Sequence, residues 1–238
     1  MNISQKIAIV TGASSGLGAA FASILIEKGA KVYGLARNLD KLNAIQKQLG
    51  DQFIPISIDI SDQKLIATWV ANTFSDSTLP DILINNAGVG YFSKIEELSL
   101  AQWHQMINTN LNGTFYVTSS IVPLMKKNTN PCHIINIGSI LGKTTNSDSA
   151  AYSATKYAMQ GFSESLFKEL RAYTIKVTCM NPGSIDTHFF EDSGIKPHHN
   201  MLQPDDIAAL AIHILETPDN LLVDEITLRP LNPKPEKH

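Results

Sequence analysis

The 238-residue sequence has only two cysteines, Cys132 and Cys179. That excludes a disulfide framework, and their separation is neither that of a metal site nor that of a redox pair. Each borders or lies within a strand-like stretch, where a small core residue is expected. Charge is sparse as well: charged residues make up 17% of the chain and the formal net charge is −3. The lysines and arginines are scattered, so no basic face favours nucleic acid or an anionic membrane. No apolar run approaches the length of a bilayer span. Met1–Lys6 leads straight into the apolar stretch Ile7–Val10 without a basic region or cleavage signal. These absences predict a cytoplasmic protein, in which the triplets Asn2-Ile-Ser4 and Asn112-Gly-Thr114 are chance glycosylation matches.

What is present is a regular alternation. Short β-branched runs are expected as strands near Lys6–Thr11, Lys31–Leu35, Phe53–Ile58, Asp81–Asn85, His133–Ile137, Lys176–Met180 and Asp224–Leu228. Between them, amphipathic stretches predict helices near Leu17–Glu27, Leu39–Leu49, Asp62–Ser75, Leu100–Lys127, Ala150–Tyr173 and Pro204–Glu216. Ile134, Ile135 and Ile137 form the kind of run expected of a strand buried on both faces. Right-handed crossovers then lead to an α/β, Rossmann-type doubly wound three-layer sandwich with a seven-stranded parallel sheet. No repeat or linker divides the chain, so residues 1–238 are read as a single dinucleotide-binding and catalytic domain. Two segments lack periodicity: Ser184–Gln203, a candidate substrate loop, and Leu231–His238, a tail expected to fray.

Three places carry chemistry. The first strand runs into Thr11-Gly12-Ala13-Ser14-Ser15-Gly16-Leu17-Gly18 and a helix follows. Glycines there let the turn tighten and let backbone approach a pyrophosphate, whose charge meets the open N–H groups of the helix. The second strand ends Ala36-Arg37-Asn38, with no carboxylate where selectivity for NAD usually places one. A guanidinium suits a ribose 2′-phosphate, so Arg37 favours NADP, with Asp40 left as the candidate for NAD. Tyr152 and Lys156 lie four apart on one helix face. An ammonium there should pull the phenol below its ordinary pKa of about 10. Ser147, Asp148 and Ser149 are candidate N-caps, which would set Tyr152 near the positive end of the helix dipole.

With Asn85-Asn86-Ala87-Gly88, Asn110 and Ser139 in order between the glycine turn and Tyr152/Lys156, the chain resembles the short-chain dehydrogenase/reductase family from Lys6 to about Pro230. Pro182-Gly183 and Thr187 extend the match. The resemblance implies an NADP(H)-dependent oxidoreductase with Asn110, Ser139, Tyr152 and Lys156 as the catalytic four. It places Thr11, Gly12, Ser14, Ser15, Gly16 and Leu17 along the pyrophosphate and ribose, and Arg37 at the 2′-phosphate. Asp59 and Ile60 would hold the adenine, and Asn86, Ala87 and Gly88 would close the adenosine side. Pro182, Gly183, Ile185 and Thr187 would lie at the nicotinamide, beside Tyr152 and Lys156. No metal is needed, and His188, His198 and His199 are read as loop histidines.

The substrate is expected to be a small carbonyl compound or alcohol, met by Val89–Ser93, Ile140–Asp148 and Ser184–Gln203. Tyr91, Phe92, Leu141, Phe189 and Phe190 make those walls apolar, with Lys143 and Lys196 as the available cations. Family resemblance also implies a homodimer or homotetramer, built on the helices Leu100–Lys127 and Ala150–Tyr173. Two other readings stay open at this point: a non-catalytic protein that senses NADP, and a nucleotide-sugar epimerase.

Overall fold

The computed structural model describes residues 1–187, 189 and 198–234. Seven strands are β1 (Ile7–Thr11), β2 (Lys31–Ala36), β3 (Phe53–Ser57), β4 (Ile82–Asn85), β5 (Cys132–Ile137), β6 (Ile175–Pro182) and β7 (Glu225–Leu228). They form one all-parallel sheet in the order β3-β2-β1-β4-β5-β6-β7. The order runs one way from β1 and the other way from β4, so the switch point lies between those strands, where a doubly wound sheet opens a crevice at its carboxyl edge.

Among the described residues, seven α-helices cover the faces: α1 (Gly16–Glu27), α2 (Leu39–Leu49), α3 (Gln63–Thr73), α4 (Leu100–Met106), α5 (Thr114–Met125), α6 (Ala150–Leu170) and α7 (Pro204–Leu215). The period-two alternation of the strands sorts the core into two layers. Ala8, Val10, Ile82 and Ile84 face α1 and α7, where Phe21, Leu25 and Ile212 are buried. Ile9, Leu83 and Ile134 face the other side, against Ile66, Val117 and Leu170. Tyr33, Trp69 and Phe74 close that second layer edge to face, with ring centroids 5.4 to 6.3 Å apart. Cutting back a fully enclosed residue such as Phe21 costs about 3–5 kcal/mol in lost transfer energy and cavity formation. Among the described residues, no helix is long and apolar enough to cross a membrane.

One expected element is not a single piece. The predicted helix Leu100–Lys127 is α4, a π-helical turn over Ile107–Gly113, and α5. Asn110 explains the interruption. Its side chain leaves the helix to bond both backbone groups of Val89, at 2.8 Å from N–H to Oδ1 and 2.9 Å from Nδ2 to the carbonyl. Thr114 Oγ1 then donates to the Asn110 carbonyl at 3.0 Å, occupying an oxygen that an α-turn would use. Helical periodicity does not separate this turn from α4 and α5, because the chain stays helical throughout and only its hydrogen-bond spacing changes. Turns of this kind cluster at functional sites.

Candidate active site

A cleft of about 840 Å³ follows the carboxyl edge of the sheet from the ends of β2 and β3, across the switch point, to the ends of β5 and β6. At its centre is the glycine turn. Gly12 and Gly16 have φ of +70° and +53°, where a side chain would be strained. A Cβ on Gly12 would come 2.9 Å from Asn86 Nδ2 and 3.0 Å from Ala87 Cα. Thr11 lies behind this turn rather than on the cleft wall. Its hydroxyl accepts from the N–H groups of Asn86 and Ala87 at 2.9 and 3.0 Å, while Asn86 Nδ2 donates to the Thr11 carbonyl at 3.0 Å. The turn after β1 and the loop after β4 are thereby laced together. Ser15 precedes α1 without capping it through its side chain, so the first N–H groups of that helix are open toward the cleft.

This shape and these donors fit a dinucleotide: backbone crowded to glycine, an anion-seeking helix start, and a cleft within the volume range of cofactor sites. At the β2–β3 end the wall carries Arg37, Asn38, Lys41, Asp59 and Ile60. Arg37 is exposed and makes no ion pair among the described residues. Asp59 is turned to its own loop, accepting from Ser61 N at 2.9 Å and Ser61 Oγ at 2.7 Å. Asp40 sits in the first turn of α2, off the wall. Lys41 on the wall was not anticipated; the cap Asn38 Oδ1 accepts from its N–H and starts the helix that aims it.

At the other end Ser139, Tyr152 and Lys156 come together, all buried and all on the cleft wall. Ser139 lies two residues beyond the end of β5 and hydrogen-bonds the Tyr152 phenol, while its Oγ also accepts from Leu141 N at 3.1 Å. Gly142 lets this short turn lie on α6: a Cβ there would be 2.6 Å from the Lys156 carbonyl. Lys156 Nζ donates to the Ile137 carbonyl at 2.8 Å and lies 5.7 Å from the centre of the Tyr152 ring.

The expected electrostatics of the pair are therefore reversed here. Burial pushes the Tyr152 phenol above its ordinary range, opposed only by the Ser139 bond, and the lysine does not offset it from its seat on Ile137. Burial likewise lowers the Lys156 ammonium to about 8. Desolvation dominates both groups because neither charged form has a close counter-charge. Of the three candidate N-caps, Ser149 takes the N-cap position of α6, but its side chain makes no cap bond and instead donates to the Asn146 carbonyl at 2.7 Å.

Of the other residues singled out from the sequence, Gly12, Ser14, Ser15, Gly16, Leu17, Asn86, Ala87, Gly88, Pro182, Gly183, Ile185 and Thr187 are on the wall. Asn110 is not; it is buried behind, where Nδ2 also reaches Thr155 Oγ1 at 3.1 Å. Lys143 is ion-paired with Glu225 and away from the cleft. Tyr91 is also off the wall, its hydroxyl donating to Gln105 Oε1 at 2.8 Å. Phe190, Lys196 and His188 lie outside the described residues. Val89 and Asn146 join the wall from loops expected to meet the substrate, whereas Thr109, on the π-turn, joins it without a sequence signal. Among the described residues, no group of three or more potential ligands could hold a metal ion.

A family model described as short chain dehydrogenase matches residues 6–197. An uncharacterized oxidoreductase of Staphylococcus epidermidis is 34% identical over 229 residues, which are 96% of this chain and 99% of the relative. A 3-ketoacyl-(acyl-carrier-protein) reductase from Brucella melitensis, solved with NADH, superposes with a TM-score of 0.86 at 26% identity, covering 96% of this chain and 98% of its own. A metagenomic short-chain oxidoreductase solved with NADP gives 0.83 at 32% identity, covering 98% and 100%.

Proposed function

Because the chain belongs to the short-chain dehydrogenase/reductase family, we propose that it is an NADP(H)-dependent enzyme interconverting a neutral carbonyl compound and its alcohol. What supports the reading is the meeting of Ser139, Tyr152 and Lys156 on the same cleft that begins at Arg37 and the glycine turn. The cofactor, when bound, supplies or accepts a hydride at the substrate carbon. Ser139 donates to the substrate oxygen and holds it beside the phenol. In reduction Tyr152 gives its proton to that oxygen, and in oxidation its phenolate takes the alcohol proton. The raised phenol suits the first direction, since it stays protonated at neutral pH.

Lys156 would leave the Ile137 carbonyl for the nicotinamide ribose, bringing positive charge to the phenol and easing the opposite direction. Asn110 has committed its side chain to Val89 and Thr155. Its main-chain carbonyl, which already accepts from Thr114 Oγ1, would then use its second lone pair to hold a water that returns protons to Lys156. Arg37, aided by Lys41, would hold the 2′-phosphate. This favours NADP over NAD, although the solved structures include both cofactors among similar proteins. The outward faces of α4, α5 and α6 leave Trp103, Phe115 and Tyr157 exposed, which supports helix-to-helix pairing of two copies. A monomer mass in solution removes that part.

The test is a panel of ketones, aldehydes and alcohols, followed by absorbance of the reduced nicotinamide with each cofactor. NADP-linked turnover of at least one neutral carbonyl compound is expected. Tight cofactor binding with no turnover would replace the enzyme by a cofactor-sensing protein.

A further inference from the structure

The ring of Tyr152 is flanked by two phenylalanines from different loops. Phe92, after β4, has its ring centroid 5.2 Å away with the planes at 54°, and Phe189, after β6, is 5.9 Å away at 55°. Both are on the cleft wall, with Val89 and Leu141 beside them. Gly90 is where the two rings Tyr152 and Phe189 converge. A Cβ there would come 2.8 Å from Phe189 Cζ and 3.1 Å from Tyr152 Cδ2, too close for any side chain without moving a ring. The Gly90 backbone does not occupy the left-handed region, so glycine answers to space rather than to conformation.

The charges at this end point the same way. Among the described residues on the wall near Tyr152, the ionisable side chains are Lys156, held by the Ile137 carbonyl, and Asp148. Lys143 is spent on Glu225. Nothing described there offers a cation to a carboxylate or phosphate on the substrate, and Asp148 repels one.

Resting on the proposed carbonyl chemistry, we infer that Phe92 and Phe189 are specificity-determining residues. They form a slot beside Tyr152 for a flat, uncharged substituent on the carbonyl carbon, and Gly90 is the positioning residue that lets Phe189 close it. Aryl methyl ketones are thereby the favoured substrate class over branched alkyl and acidic ones. A planar ring slides between aromatic faces, whereas a tertiary carbon needs the space the rings occupy.

The experiment compares acetophenone with tert-butyl methyl ketone in the wild type and in Phe189→Ala, Phe189→Leu, Phe92→Ala and Gly90→Ala. Cofactor fluorescence confirms that each variant folds and binds. In the wild type kcat/KM should favour acetophenone by at least tenfold. Phe189→Ala and Phe92→Ala should each cut that ratio tenfold or more, and Phe189→Leu should fall between. Gly90→Ala removes no wall, yet it should cut the ratio at least threefold by displacing Phe189. An unchanged ratio in both alanine variants of the phenylalanines overturns the slot. If the wild type reduces no carbonyl at all, the enzymatic reading fails and the slot is judged by binding. Benzamide must then bind at least tenfold tighter than pivalamide, and Phe189→Ala must erase that difference; equal affinities overturn it.

Discussion

Acid should weaken this fold through one residue, His133. The side chain is wholly buried on β5, with Nε2 2.8 Å from Thr178 Oγ1. Thr178 already donates its own proton to the Val223 carbonyl at 2.6 Å. The imidazole must therefore donate from Nε2, which leaves Nδ1 bare and without a partner. A proton on Nδ1 would be a buried, unpaired charge beside Lys176, and burial first, then Lys176, lowers the imidazole to about 3 from 6.5. Below pH 6.5 the unfolded chain takes up a proton that the folded one refuses. Stability is thus complete above that pH and is lost as the pH falls toward about 3. The slope is about 1.4 kcal/mol per pH unit, so about 1.4 kcal/mol is gone by pH 5.5 and about 3 kcal/mol by pH 4.5. His133→Val keeps a β-branched residue in the strand and leaves the Thr178 bond to Val223 intact. Urea unfolding of both proteins at pH 7.5, 6.5, 5.5 and 4.5, at one protein concentration, isolates the term, because the carboxylates common to both cancel. The wild type should lose ground to the variant by those amounts. Parallel stability curves would mean that His133 is protonated in the fold and that the buried, neutral imidazole is wrong.

Four further outcomes follow from the site. Tyr152→Phe should leave cofactor affinity nearly intact and lower turnover by roughly two to four orders of magnitude; a normal rate in single-turnover assays would reassign the proton donor. Arg37→Asp should move cofactor preference from NADP toward NAD by roughly one to two orders of magnitude in the ratio of kcat/KM, the worth of a charge-assisted bond. An unmoved ratio would take the 2′-phosphate away from this arginine. Gly18→Ala would drive its Cβ into the Gly12 carbonyl and to 2.7 Å from Asn86 Nδ2. Calorimetry should show a loss of about 1–3 kcal/mol and weakened cofactor binding, and a variant as stable as the wild type would refute the tight crossing. Adding saturating NADP should lower the pH at which the Tyr152 phenol ionises in difference ultraviolet spectra, as Lys156 leaves Ile137. A phenol unmoved by cofactor would show that the lysine never turns toward it.

The amino-acid sequence was enough for the sheet, its seven strands and the three chemical landmarks, because each is a local property. Alternating apolar residues declare a strand, glycines spaced Gly12, Gly16 and Gly18 declare a turn that backbone must approach closely, and Tyr152 four residues before Lys156 declares a shared helix face. Only the tertiary structure decided what those residues meet. The four-residue spacing predicted a phenol eased by an amine, yet burial raises the phenol and the Ile137 carbonyl takes the ammonium, because desolvation depends on everything packed around a group. Resemblance singles out Asn110 as a residue within one long helix; it breaks that helix, and its side chain answers both hydrogen-bonding groups of Val89, 21 residues away. Thr11 belongs to the glycine turn in sequence but lies behind it in space, tied to Asn86 and Ala87. The slot around Tyr152 joins loops roughly a hundred residues apart along the chain. Such contacts leave no period and no spacing to read, since they exist only once the sheet has brought its carboxyl ends together.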